Sequence, residues 1–256
     1  MKIKKTWIKN SLGYDNNLFI YQDKEMFNYS IDTILLANLT TLTKKTKNVL
    51  EIGTNNAALS IFLSQRSKLI TIDALEIQEE ACKLAKYNVD MNNLNNRIKV
   101  INDDFNNWWK IHNKNVGKKY DVIICNPPFY RKETKIKKNI SESMLKATHE
   151  VSITLDQIIK GSSKLIEQKG YLSLIIPPER IVDCFFSLRE NKFEPKRVIM
   201  IHPRINQKAI LTFIEARYQT GIGTHFEPNI YLHPEDMTKH EYLDNVVKLY
   251  QPIKIK

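Results

Sequence analysis

Apolar residues in this chain gather into short continuous runs, and between the runs they recur at helical spacing. Val49-Leu50-Glu51-Ile52, Leu69-Ile70-Thr71-Ile72, Ile98-Lys99-Val100-Ile101, Val122-Ile123-Ile124-Cys125 and Tyr171-Leu172-Ser173-Leu174-Ile175-Ile176 have the β-branched texture of strands buried on both faces. The spacing predicts helices over 57–65, 76–91, the stretch after Asp104, the stretch from Thr154, and 179–191. Strands alternating with helices predict an α/β, doubly wound, mostly parallel sheet with helices on both sides. Two further apolar runs, 196–203 and 209–216, have no helix between them and predict an antiparallel pair closing the sheet at its C-terminal end.

The flanks are less regular. Residues 1–45 read as a lead-in, with a strand at Leu18-Phe19-Ile20-Tyr21 and a helix over 30–39 that Ser30 or Asp32 caps. Residues 221–256 read as a tail ending in a short helix at 239–250. With no internal repeat and no Gly/Ser-rich linker, the expectation is one domain whose core spans 46–220.

Chemistry is expected where the strands end. The first run passes through Glu51, Gly53, Thr54, Asn55 and Asn56 into a helix, the strand, tight turn and helix in which backbone N–H groups face a ligand. Asn is the non-glycine residue that best tolerates left-handed backbone angles, so the turn survives Asn at positions where glycine is usual. A second strand ends about 20 residues on, where a ribose-binding carboxylate belongs. Glu76, followed by Ile77, is the first candidate for that acid and Asp73 the second.

The fourth run stops at Asn126-Pro127-Pro128-Phe129. Two prolines end a strand and hold the neighbouring carbonyls rigidly. The Asn126 side-chain oxygen and the Pro127 carbonyl can accept both hydrogens of an exocyclic amine while Phe129 stacks on the base carrying it. An aromatic amine is a poor nucleophile because its lone pair is delocalised; accepting its hydrogens returns density to nitrogen for attack on a methyl donor. The alternative is an ordinary proline turn after a buried strand.

This tetrapeptide resembles the Asn/Asp-Pro-Pro-aromatic signature of S-adenosylmethionine-dependent amino-methyltransferases. The resemblance implies a class I methyltransferase fold. It also implies Glu51, Gly53, Thr54, Asn55, Glu76, Ile77, Asp104, Phe105 and Asn126 around S-adenosyl-L-methionine, with Ser30 and Asp32 near its amino-acid end. Within that class the chain is most similar to the bacterial tRNA adenosine-37 N6-methyltransferases. Tyr29-Ser30-Ile31-Asp32-Thr33, the Glu51 turn, Leu75-Glu76-Ile77-Gln78, Asn126-Pro127-Pro128-Phe129, Thr148-His149-Glu150, Pro195-Lys196-Arg197 and His202-Pro203-Arg204 carry the likeness. It implies transfer of a methyl group to the N6 amine of a tRNA adenosine, position 37 of a valine tRNA, with no metal. The rivals are protein-glutamine N5 methylation, methylation of adenine in DNA or ribosomal RNA, and a non-catalytic RNA-binding protein on a relic cofactor fold.

Charge agrees with a polyanionic partner. The formal net charge is +11, and Arg131, Lys132, Lys135, Lys137 and Lys138 cluster directly after the tetrapeptide, placed to neutralise phosphates around a splayed-out base. His149 and Arg204 are further candidates for the RNA. Trp108 and Trp109 read as helix packing. The three cysteines, Cys82, Cys125 and Cys184, are spaced as small core residues rather than as metal pairs, which suggests a reducing compartment. With no signal-like or membrane-spanning stretch, a cytoplasmic monomer or weak homodimer is expected.

Overall fold

The computed structural model describes residues 3–13, 18–115, 117–128 and 153–255. Phe129, Arg131, Lys132, Lys135, Lys137, Lys138 and His149 lie outside the described residues.

The apolar runs become the middle of one sheet. Strands β3 (Asn48–Ile52), β4 (Thr71–Glu76), β5 (Ile98–Asn102), β6 (Tyr120–Cys125) and β7 (Ile166–Ile176) all run parallel, with β3 between β4 and β6. Successive residues of a strand face opposite ways, so a run apolar at every position needs a covering layer on each side. Val49, Val122 and Ile124 face one layer, made by helices α1 (Ile31–Leu39) and α2 (Ala58–Ser64) with part of α3 (Glu79–Met91). Leu50 and Ile123 face the other, built from α4 (Phe105–Lys114), α5 (Leu155–Leu165) and α6 (Ile181–Glu190).

The two late runs are β8 (Phe193–His202) and β9 (Leu211–Tyr218), antiparallel to each other as expected. β9 lies between β7 and β8 and is antiparallel to both. It carries a fully buried carboxylate, Glu215, which accepts from the Thr41 backbone N–H (2.6 Å), Thr41 Oγ1 (2.7 Å), Ser173 Oγ (3.1 Å) and the Arg197 guanidinium (3.0 Å). A buried charge is tolerable only with such saturation, and here it ties the segment after α1 to the sheet.

Order in the sheet decides where a ligand can sit. From β3 the chain moves outward to β4 and β5, then returns to the opposite side of β3 as β6. That reversal leaves a crevice at the carboxyl ends of β3 and β6. Ile52 is paired with Cys125, so Gly53 and Asn126 leave the sheet at the same level.

The flanks hold more structure than their patterns predict. Strands β1 (Trp7–Ser11) and β2 (Phe19–Asp23) make an antiparallel hairpin. Asn88 of α3, fully buried, anchors it by accepting from the Tyr21 N–H (2.7 Å) and donating to the Tyr21 carbonyl (2.9 Å). After β9, the two-residue strands β10 (His225–Phe226) and β11 (Ile230–Tyr231) pair with β8, and α7 (Asp244–Leu249) follows. Runs this short leave no periodic signature. Cys82, Cys125 and Cys184 are free and buried.

Candidate active site

The crevice is built on the turn after β3. Gly53 takes φ +75°, and a Cβ placed there would meet nothing within 4 Å, so its face is open to a ligand. Asn55 and Ala57 also adopt left-handed angles, φ 51° and φ 65°. The turn therefore keeps the glycine-type geometry at two positions that are not glycine. At Asn55 the side chain is used: its Nδ2 donates to the Phe27 carbonyl at 2.5 Å, drawing the segment between β2 and α1 over the crevice. Phe27 and Tyr29 of that segment line it.

Two buried carboxylates frame the turn. Glu51 accepts from Thr54 Oγ1 (2.8 Å) and from Ser60 Oγ, and burial pushes its carboxyl up to about 7 despite those donors. Glu76 accepts the Asn55 N–H (2.9 Å) and the Gln78 N–H (2.8 Å), one on each oxygen, and burial raises it as well. The carboxylate keeps acceptor capacity of the kind a ribose hydroxyl requires. Of the two acids the sequence offered, Glu76 lines the crevice. Asp73 accepts the Tyr120 hydroxyl (2.6 Å) and pairs with Lys118 (2.9 Å).

From the other side of the switch point come Cys125, Asn126, Pro127 and Pro128, with Ile153 and Ile158 below them. Burial, with Glu51 nearby, holds the Cys125 thiol far above its usual range, so it stays protonated and inert. The Asn126 amide nitrogen donates to Asp32 at 2.9 Å, while its oxygen is buried with no partner. The Asn56 side-chain nitrogen is likewise buried and unpaired. One orphaned acceptor and one orphaned donor, carried by two residues that line a single crevice, are what a polar ligand satisfies.

Several expected site residues stand elsewhere. Asp104 caps α4, accepting the Asn106 N–H at 2.9 Å, and the Phe105 ring packs against Gly161 of α5, where a Cβ would fall 2.5 Å from it. Neither lines the crevice, because the helix starts at that point and takes both side chains; Ile77 and Gln78 occupy that wall. Trp108 and Trp109 pack at the edge of the same layer, as their helical spacing implies. Ser30 and Asp32 are engaged with each other, and Thr33 is the residue of α1 that reaches the crevice. Arg204 corrects the expectation of a phosphate contact: it is buried and donates to the carbonyls of Pro234, Asp236 (2.8 Å) and Lys239 (2.6 Å). No sequence pattern flagged Phe27, Leu59 or Ile158 as lining residues; Phe27 and Ile158 reach the crevice only through long-range packing.

A glycine-type turn, a buried acid one strand over and an Asn-Pro-Pro strand end, meeting where a parallel sheet reverses its order, define a class I methyltransferase. The family model described as methyltransferase small domain matches residues 20–180. The chain belongs to that family. It is 31% identical over 178 residues to a tRNA1(Val) (adenine(37)-N6)-methyltransferase of Cytophaga hutchinsonii, covering 70% of this chain and 71% of that one. A protein of the same name from Christiangramia forsetii is 25% identical over 237 residues, 93% of this chain and 95% of the relative. Among solved structures, a predicted O-methyltransferase from Agrobacterium tumefaciens superposes with a TM-score of 0.69 at 18% identity, covering 88% of this chain and 98% of the other.

The residues fit S-adenosyl-L-methionine. Gly53 leaves room for it, Glu76 offers acceptors for its ribose, and Asn56 offers a donor. Among the described residues no group of His, Cys, Asp and Glu could hold a metal ion, and no helix is long and apolar enough to cross a membrane.

Proposed function

We propose that this enzyme transfers the methyl group of S-adenosyl-L-methionine to the N6 amine of an adenosine in tRNA, at position 37 of a valine tRNA. The observation that carries the reading is the Asn126 amide of the crevice lining, with its nitrogen held by Asp32 and its oxygen buried without a partner. The curated relatives, which share the name tRNA1(Val) (adenine(37)-N6)-methyltransferase over nearly the whole chain, support the choice of substrate.

When bound, S-adenosyl-L-methionine supplies a methyl group made electrophilic by its sulfonium. The remaining work belongs to the protein. Asn126 Oδ1 accepts one N6 hydrogen, and the Pro127 carbonyl, held by two consecutive prolines, accepts the other. Both acceptors pull hydrogens out of the plane that delocalises the nitrogen lone pair, which readies that nitrogen for in-line attack. Phe129 is assigned to stack on the adenine. The methylated amine is strongly acidic while it bears positive charge and loses its proton to water, so no general base is required. The run Arg131, Lys132, Lys135, Lys137 and Lys138, with His149, is assigned to the RNA backbone on sequence position. Glu51, Gly53, Thr54, Asn55, Glu76 and Ile77, which line the crevice, are assigned to the cofactor side.

The direct test is incubation with cofactor and total tRNA from a strain lacking the gene, followed by mass spectrometry of nuclease digests. N6-methyladenosine is expected at position 37 of valine tRNA; none in any tRNA overturns the reading. Asn126→Ala is expected to abolish transfer while leaving cofactor affinity within a few fold, measured by calorimetry with S-adenosylhomocysteine. Turnover comparable to wild type would remove that role.

A further inference from the structure

The Asn126 amide has two ends and two settings. In one its oxygen faces the crevice and can accept from an amine. In the other the nitrogen faces the crevice and cannot. Backbone geometry does not choose between them, because the two ends of an amide are nearly the same shape.

The choice is made by Asp32. Its carboxylate lies on the first turn of α1, 2% exposed, with one oxygen already accepting the Ser30 hydroxyl and the Thr33 N–H at 2.7 Å. The other oxygen meets Asn126 Nδ2 at 2.9 Å. An ionised carboxylate offers only acceptors, so the neighbouring amide must present its N–H to it, which leaves the oxygen as the end without a partner. A rotated amide would set two acceptors against each other in a buried place, which is costly. A charge-assisted bond at nitrogen also shifts amide electron density toward Oδ1, making it a stronger acceptor.

We propose that Asp32 is the positioning residue for methyl transfer, fixing and polarising the Asn126 amide so that its oxygen receives the acceptor amine. This rests on the reading of Asn126 above and departs from the expectation that Asp32 serves the amino-acid end of the cofactor. Ser30 and the Thr33 N–H hold Asp32 in turn, and α1 carries all of them across the crevice from β6.

A reciprocal exchange tests it. In Asp32→Asn the new side chain keeps its oxygen on the Thr33 N–H and directs its own nitrogen at Asn126, which must then turn its oxygen away from the crevice. Roughly a 10- to 100-fold loss of kcat is expected, the scale of removing a supporting hydrogen bond from a working group. Affinity for S-adenosylhomocysteine should stay within a few fold, which also reports that the protein is folded. In Asp32→Asn with Asn126→Asp the bond is restored in the opposite sense and a carboxylate oxygen again faces the crevice. That double variant should regain at least about tenfold in kcat over the single one, since coupled partners are non-additive. A merely structural Asp32 would give no such rescue. The idea is overturned if Asp32→Asn keeps kcat within about threefold of wild type, or if the double variant is no faster than the single.

A second readout needs no tRNA. In the complex with S-adenosylhomocysteine, the Asn126 side-chain amide proton bonded to Asp32 should resonate downfield and lose that shift in Asp32→Asn. An unchanged signal overturns the proposal. Absence of transfer by the wild-type enzyme with the amide shift present would overturn the substrate reading alone.

Discussion

At the residue scale, the site depends on side chains doing work that their type does not announce. Glu51 is the clearest. Its carboxyl, raised from 4.5 to about 7 by burial, binds a proton in the folded protein that the unfolded chain has already released between those values. Its contribution to stability is therefore complete below about pH 4.5, falls as pH rises through about 7, and is flat beyond. Glu51→Gln, which cannot ionise but can still accept from Thr54 and Ser60, should be more stable than wild type at pH 8 by about 3 kcal/mol on the scale of its shift. Urea midpoints across pH 5 to 8 check this; parallel curves for the two proteins would refute it. Glu76 is shifted in the same direction, so the variant retains some of the slope. Asn55 supplies a second case. Asn55→Ala keeps a β-carbon in a left-handed position and loses the tether to Phe27, and should cost about 2 kcal/mol. Asn55→Gly relieves the angle and loses only the tether, so it should be nearly as stable as wild type while amides at 24–29 exchange faster. Equal destabilisation by both variants would show that the left-handed angle is not what selects Asn.

At the scale of elements, α1 was visible in the sequence as a helix but not as the part that faces β6. Its residues follow helical spacing, yet Ser30 makes no side-chain bond to the helix's N–H groups. Its hydroxyl goes to Asp32 instead, because a buried carboxylate needs donors more than an exposed helix end does. The far end of α1 is held by the tail: Asn38 accepts the Ile253 N–H at 2.9 Å and donates to the Gln251 carbonyl at 3.1 Å. Arg66, beside it, donates to the Thr40 carbonyl (2.7 Å) and the Ile253 carbonyl (3.0 Å). Arg204 plays the same part further along, holding 234–239 through three carbonyls. Arg204→Ala should strip those acceptors of their partner, cost about 3 kcal/mol, and speed amide exchange in 232–243 while leaving 46–125 protected. If exchange in 232–243 is unchanged and tRNA affinity falls, the arginine acts on the nucleic acid after all. The short strands β10 and β11 escaped notice for a related reason: two residues cannot show a period, and their pairing with β8 is decided by where the tail is pinned.

For the whole molecule, the net charge of +11 predicts binding to tRNA that weakens steeply with salt. Replacing Lys135, Lys137 and Lys138 by Gln should lower the slope of log affinity against log salt by about 2 to 3, near 0.7 to 0.9 for each phosphate no longer neutralised. An unchanged slope in filter binding from about 50 to 300 mM salt would assign those lysines to solvent. By itself the sequence determined the α/β class, the parallel run of five strands, the antiparallel pair after them, and the strand ends that carry Gly53, Glu76 and Asn126. Those follow from local pattern, since a strand buried on both faces must be apolar throughout and a strand end must be broken by glycine, proline or a polar residue. Tertiary structure alone decided that Asp32 reaches Asn126, that Asn55 reaches Phe27, and that Arg204 turns inward to the tail. Those hydrogen bonds join residues 94, 28 and 32 positions apart, and a separation of that kind leaves no periodic trace in the chain. They exist because buried polar atoms must find partners wherever packing brings one within reach, and only the folded sheet sets which ones those are.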